Sequence, residues 1–225
     1  MSEIKVNIDL RAKFGPARDQ GARPTCLAFA LSDAHAALLD PSRPLSCEFA
    51  FYHAQRRAGR PPSAGATLPA MLQALRHDGQ PLEIDWPYLD RLPDHLDEYG
   101  PPAVQRLFRR HGEAGLQDYD EIIRRLRAGE TPVVLMTISD TFYLPDALGV
   151  VSGIGGEDPV RRHAVVAVGC GSAHGDDAIL VRNSWGLDWG LQGHAWLPKS
   201  YLAPRIFCLA VLTEIADVSA SNLAA

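Results

Sequence analysis

The hydrophobic pattern of this chain changes period near residue 100, and that change restricts the folds open to it. Before it, apolar residues recur at helical spacing: over Thr25 to Leu39, where Leu27, Leu31, Ala34 and Leu38 make a broad face, over Ser46 to about Arg57 with Phe49, Tyr52 and His53, and over Leu68 to His77. Asp40-Pro41, a Pro/Gly/Ser loop from Gly59 to Gly65, Gly79 and a Pro-rich connection (Pro81, Pro87, Pro93, Pro101-Pro102) separate and end these segments. After it, a short helical pattern at Tyr119 to Ala128 gives way to the runs TPVVLMTIS, HAVVAVGCG, DAILVRNSW and IFCLAVLTEI, which read as strands. Helices followed by strands predict an α+β protein with a helical lobe over about 15–105 and an antiparallel sheet or barrel over about 106–215. The 225 residues suit one domain built of two such lobes, with a frayed tail at 216–225 and no internal repeat.

Charge and composition exclude several function classes. A net charge of -5 lacks the basic surface that neutralises a nucleic-acid backbone, and the Arg pairs at 56–57, 109–110 and 124–125 are scattered and read as solvated. The opening MSEIKVNIDLRAKFG has no apolar run of the kind a secretory signal needs, and no later stretch reaches membrane-spanning length, so a cytoplasmic location and no membrane partner are expected. The Ala, Arg and Pro usage fits a GC-rich bacterial genome. Cys26, Cys47, Cys170 and Cys208 follow neither a zinc nor a disulfide spacing and are expected to be free thiols. HGDD at 174–177 falls in a predicted hairpin turn, where solvated turn residues are expected rather than metal ligands. Neither a cofactor nor a metal is expected.

Three distant segments carry the chemistry: QGARPTCLAFA at 20–30, RRHAVVAVG at 161–169 and LVRNSWGLDWG at 180–190. A thiol is a good nucleophile only as thiolate, and a helix N-terminus or a nearby imidazolium favours that form. Cys26 sits just inside the predicted start of its helix, and His163 and Asn183 follow it by 137 and 157 residues. In this arrangement the chain resembles the papain family of cysteine peptidases, whose His and Asn lie at about those distances from the nucleophile. The resemblance extends to Gln20, Ala28-Phe29-Ala30, Leu45-Ser46, Glu83, Trp86-Pro87-Tyr88, His163-Ala164-Val165 and Asn183-Ser184-Trp185-Gly186.

The resemblance implies a papain-like two-lobed fold with the active-site cleft between the lobes, and a set of roles. Cys26 would attack the scissile carbonyl to form a thioester, His163 would hold and then donate the proton, and Asn183 would orient the imidazole under cover of Trp185. Gln20 and the Cys26 backbone N–H would form the oxyanion hole. Gly65-Ala66-Thr67-Leu68 resembles the strand that pairs with substrate backbone, and Leu68 with Ala164 would line a pocket favouring an apolar residue two positions before the scissile bond.

The chain also departs from the family pattern. Arg23 stands where many members carry a disulfide-forming Cys, and Leu27 replaces an aromatic residue. Arg161-Arg162 precede His163 where Asp or Asn is common; Arg162 could meet acidic groups on the leaving-group side of a substrate. Only 25 residues precede Cys26, too few for a long helical prodomain, so control by specificity, by a regulatory partner or by a segment outside this sequence is expected. The expected activity is hydrolysis of peptide or protein substrates. Alternatives are a transpeptidase or amidase using the same residues, or a catalytically silent peptide-binding module.

Overall fold

Three helices build the first lobe and a seven-stranded antiparallel sheet the second, in a computed structural model that describes residues 3–39, 43–115, 117–153 and 161–213. Helix α1 (Cys26–Ala36) is buried at every position from Leu27 to Ala36, as a helix that is apolar nearly all round must be. Helix α2 (Cys47–Ala58) begins at Ser46, whose Oγ accepts the Phe49 N–H at 3.1 Å, and ends at Gly59, which has the left-handed φ of 60° that glycine supplies at lowest cost. Helix α3 (Leu68–His77) carries Pro69 in its first turn, where no N–H is needed. These bounds follow the sequence reading closely. The exception is the end of the first helix, where residues 37–39 form a turn instead of a last helical turn, and Asp40-Pro41 lie outside the described residues.

The sheet runs in the order β2 (His111–Gly115), β7 (Ile206–Thr213), β3 (Val133–Thr137), β4 (Arg162–Ala173), β5 (Asp176–Arg182), β6 (His194–Pro198). Strand β1 (Ile4–Asp9) also pairs with β4. The long β4 serves two partners on one edge: its first half pairs with β3, from Arg162 opposite Thr137 to Val166 opposite Val133, and its second half with β1. That crossing requires glycine, because a Cβ at Gly171 would collide with the Lys5 carbonyl oxygen. Among the described residues β2 and β6 stand at the two ends of this order.

Strand β4 is buried on both faces, which is why HAVVAVGCG reads as a continuous apolar run rather than an alternating one. Ala164, Val166 and Val168 face the helical lobe and share its core with Phe29, Phe51 and Met71. Val165 and Ala167 face a second core that holds Ile122 and Leu126 of helix α4 (Tyr119–Arg127), Phe142, Trp189 and Tyr201. The four-residue helix α5 (Lys199–Leu202) closes that side.

A buried ion network bolts the lobes together. Asp33 of α1 receives Arg182 Nε of β5 at 2.7 Å and Arg18 Nη2 at 2.7 Å, and Arg18 also reaches Glu83 at 3.0 Å. Burial alone would push the Asp33 carboxyl up; the two guanidiniums outweigh it and hold that pKa below its ordinary value. All four cysteines are free thiols. Among the described residues no helix is long and apolar enough to cross a membrane. The tail read from the sequence at 216–225 lies outside them.

Candidate active site

Cys26 is the first residue of α1, and the local sequence leaves the helix start unoccupied by a cap. The N-cap residue, Thr25, accepts no backbone N–H through its side chain. Its hydroxyl lies instead 2.9 Å from the Tyr88 hydroxyl, which itself donates to the Gln20 carbonyl at 2.7 Å. The first-turn N–H groups, and the positive end of the helix dipole, are therefore available to the Cys26 sulfur. Burial pushes the Cys26 thiol up, while the backbone N–H groups of Ala164 and Leu27 pull it back towards the thiolate. Ala164 belongs to β4, so the thiol sits at the seam between the lobes.

His163, one residue before Ala164, points to the opposite face of β4. Its Nε2 lies 2.6 Å from Asn183 Oδ1, and both residues are buried. Asn183 Oδ1 also accepts the Ser184 N–H at 2.8 Å, and the Asn183 N–H donates to the Gly193 carbonyl at 2.9 Å, so the amide is fixed before it orients the ring. Trp185 packs on the imidazole at 4.8 Å between ring centroids, and Phe142 flanks it at 5.6 Å. Tyr143 stacks on Trp185 at 5.0 Å and 13°. This aromatic enclosure excludes water from the His163–Asn183 bond. Burial pushes the His163 imidazole down to about 4, and the Asn183 hydrogen bond acts in the opposite direction.

Gln20 is held against the Asn183 loop. Its N–H donates to the Ser184 carbonyl at 2.9 Å, its Oε1 accepts the Ser184 hydroxyl at 2.7 Å, and its Nε2 donates to the Arg23 carbonyl at 2.8 Å. An isolated pairing of Asp19 with Trp185 and a bond from the Gly186 N–H to the Arg18 carbonyl at 3.1 Å continue this contact. Segments 18–20 and 183–186 thus form one unit. Cys26, His163, Asn183, Gln20 and Trp185 are gathered around Ala164 and Ser184.

Leu68 at the start of α3 and Ala164 belong to one apolar cluster, against which Cys26 and Ala66 pack. Gly65 lies beside the nucleophile loop, where an added Cβ would stand 3.7 Å from the Pro24 carbonyl oxygen; its own carbonyl accepts Arg60 Nε at 3.1 Å. Thr67 supplies the N-cap of α3 without a side-chain cap bond. Strand alternation turns Arg162 to the Ala164 side, with its guanidinium 5.3 Å from the Phe207 ring centre. Arg161 reaches Tyr143 and Asp140, beside Trp185. Arg162 therefore shares the Ala164 face of β4, and Arg161 lies towards Tyr143.

Four contributors carry no role in the sequence reading. Ser184 stands inside the Asn-Ser-Trp motif, so its place next to Asn183 was a usable signal. Phe142 and Tyr143 come from a short 3-10 turn (Asp140–Tyr143), 21 and 20 residues before His163 in sequence, and nothing in the pattern marks them. The fourth, Glu48, stands two residues after Ser46 and is buried, which no local pattern foretells. Among the described residues no group of three or more His, Cys, Asp or Glu side chains is placed to hold a metal ion; of the 174–177 segment, His174 and Gly175 form the β4–β5 turn with positive φ, and Asp176 and Asp177 already belong to β5.

Known proteins resemble this chain in sequence and in fold. The family model described as papain family cysteine protease matches residues 69–203, a stretch that holds His163 and Asn183 and leaves out Cys26. The alignment with cysteine proteinase 3 of Dictyostelium discoideum is 25% identical over 208 residues and covers 87% of this chain. The alignment with peptidase 1 of Dermatophagoides farinae is 27% identical over 207 residues and covers 86%. The chain spans 59% and 60% of the lengths of those two proteins. Among solved structures, xylellain, a cysteine protease from Xylella fastidiosa, superimposes with a TM-score of 0.73 at 22% identity, over 95% of this chain and 87% of that one. The proform of the ragweed pollen allergen Amb a 11, a cysteine protease, gives 0.74 at 20% identity, over 95% and 66%.

Proposed function

The chain belongs to the papain family of cysteine proteases, and from that premise we propose that it hydrolyses peptide bonds through a Cys26 thioester. The observation that carries this reading is the 2.6 Å bond between His163 Nε2 and Asn183 Oδ1 under Trp185. It leaves Nδ1 as the nitrogen that exchanges a proton with Cys26. Burial penalises a lone thiolate and a lone imidazolium, as the raised thiol and lowered imidazole show. Transfer of the proton from sulfur to Nδ1 creates both charges together, and each then stabilises the other.

In the reaction the Cys26 sulfur adds to the carbonyl carbon and the carbonyl oxygen becomes an oxyanion. The second N–H of the Gln20 amide and the Cys26 backbone N–H stabilise it. His163 protonates the leaving amine, the C–N bond breaks and a thioester remains. Water, deprotonated by His163, then adds to the thioester and releases the acid and the thiol. Peptides or proteins are the substrates. Leu68 and Ala164 receive an apolar side chain two residues before the scissile bond, and Arg162 at the same face adds tolerance for an acidic one there.

The test is intact-mass analysis after exposure to an epoxysuccinyl peptide inhibitor under reducing conditions, beside a Cys26→Ala control. One adduct on the wild type, absent from the control, is expected. Absence of any adduct between pH 5 and 8 would favour a silent peptide-binding module.

A further inference from the structure

We propose that the buried Arg23–Glu48 pair is the positioning device of the oxyanion site, fixing Gln20 where a covalent staple would otherwise hold the loop. The inference rests on the peptidase reading above. Glu48 of α2 is fully buried, and all of its partners are donors. Its carboxylate takes Arg23 Nη1 at 2.6 Å and Nη2 at 2.9 Å, the Leu89 N–H at 3.1 Å and the Tyr99 hydroxyl at 2.5 Å. Arg23 Nη1 also donates to the Leu89 carbonyl at 2.6 Å, and the guanidinium lies 5.5 Å and 5.1 Å from the Phe51 and Tyr88 ring centres. A two-pronged guanidinium–carboxylate contact of this kind fixes direction as well as distance.

The backbone of Arg23 converts that anchor into catalytic geometry. Its carbonyl oxygen accepts Gln20 Nε2 at 2.8 Å and the Thr25 N–H at 2.8 Å. One N–H of the Gln20 amide is therefore committed to Arg23, which sets the direction of the other, the one assigned to the oxyanion. The network closes through Tyr88, which stacks on Arg23 and donates to the Gln20 carbonyl. Residues 20–25 are thus tied to α2 and to the 86–99 connection by charge and hydrogen bonds alone. Neither Arg23 nor Glu48 is assigned a contact with the reacting atoms; both act through Gln20.

The decisive variant is Glu48→Gln. Because every partner is a donor, the new amide nitrogen must face one of them, so the anchor fails with almost no change in volume. Tyr99→Phe, which removes one donor, is the milder companion. For each, kcat and KM on a peptide amide are measured per reactive Cys26, beside the rate of Cys26 alkylation by iodoacetamide, a displacement at saturated carbon that develops no carbonyl oxyanion. The expected result for Glu48→Gln is a kcat about 10- to 100-fold lower, with KM and the alkylation rate each within about 3-fold of wild type. Tyr99→Phe should show the same split with a smaller loss. Gln20→Ala/Glu48→Gln should be no slower than Gln20→Ala alone, since both act through one donor. An unchanged kcat per reactive site, additive losses in the double variant, or alkylation falling in parallel with kcat would overturn the proposal. If Glu48→Gln does not fold, Tyr99→Phe decides by the same criteria. A wild type that alkylates but never turns over would instead overturn the peptidase reading on which the proposal rests.

Discussion

At the scale of single residues, the proposed reaction gives Gln20 and Asn183 different parts, and substitutions separate them. Gln20 is bound through Ser184 and Arg23 and assigned to the oxyanion, so Gln20→Ala should lower kcat about 10²- to 10³-fold while Cys26 alkylation stays near the wild-type rate. Asn183 acts on the base. Its bond to His163 is the influence that raises an imidazole otherwise held low by burial. Removing it in Asn183→Ala weakens proton capture from Cys26, so alkylation and turnover should fall together, by about 10-fold or more. Stopped-flow alkylation beside steady-state kinetics checks both; parallel behaviour of the two variants would contradict the division of roles. Arg162→Ala should selectively slow substrates with an acidic residue two positions before the cleaved bond. Equal loss on neutral substrates would remove its part in recognition.

At the scale of elements, what was legible in the sequence depended on how each segment is buried. Helix α2 carries caps at both ends, α3 a proline in its first turn, and both a one-sided apolar pattern, so their bounds were readable to within a residue or so. Strands β3, β4 and β7 are apolar runs and were readable too. Strands β1 and β2 were not: IKVNID and HGEAG are mostly exposed, and only their partners β4 and β7 make them strands. Strand β6, HAWLP, is buried but only five residues long and ends in proline, which hides it. For the site, the Cys-His-Asn motifs and the family resemblance they carry pointed to the proposed chemistry, whereas the aromatic enclosure from 142–143 and the Glu48 anchor depend on contacts remote in sequence. The crossing of β1 over β4 yields a prediction at this scale. Gly171→Ala forces a Cβ into the Lys5 carbonyl, so β1 should detach, with a stability loss of about 2 kcal/mol or more and amide exchange of residues 4–9 becoming fast. Slow exchange there in the variant would show that the crossing relaxes easily.

At the scale of the whole molecule, two kinds of buried charge chemistry set the response to pH. His35, His163 and His194 are buried, and each has its pKa pushed down to about 4, chiefly by burial. In the unfolded chain each should titrate near 6.5, so between about pH 6.5 and 4 the unfolded state binds more protons than the folded one. Stability is therefore fully present above pH 6.5 and is lost as pH falls towards 4, at up to about 1.4 kcal/mol per pH unit for each histidine. Asp33, whose pKa is held low by Arg18 and Arg182, extends the loss below pH 4. Urea midpoints should hold from pH 7.5 to about 6.5 and then fall steadily to pH 4.5; a profile flat throughout would contradict the buried, neutral state of these rings. We propose that the two lobes and their ion network hold Cys26 of one lobe at the β4 strand that carries His163 and Ala164 in the other, so that an acyl group can pass onto sulfur. That claim is tested most directly by acid-quenching the protein milliseconds after mixing with a slowly hydrolysed peptide ester and weighing the intact chain. The account predicts a mass gain equal to the acyl group, located on Cys26, absent from Cys26→Ala and decaying as acid product appears. Product formation with no such species, or an acyl group on any other residue, would contradict it.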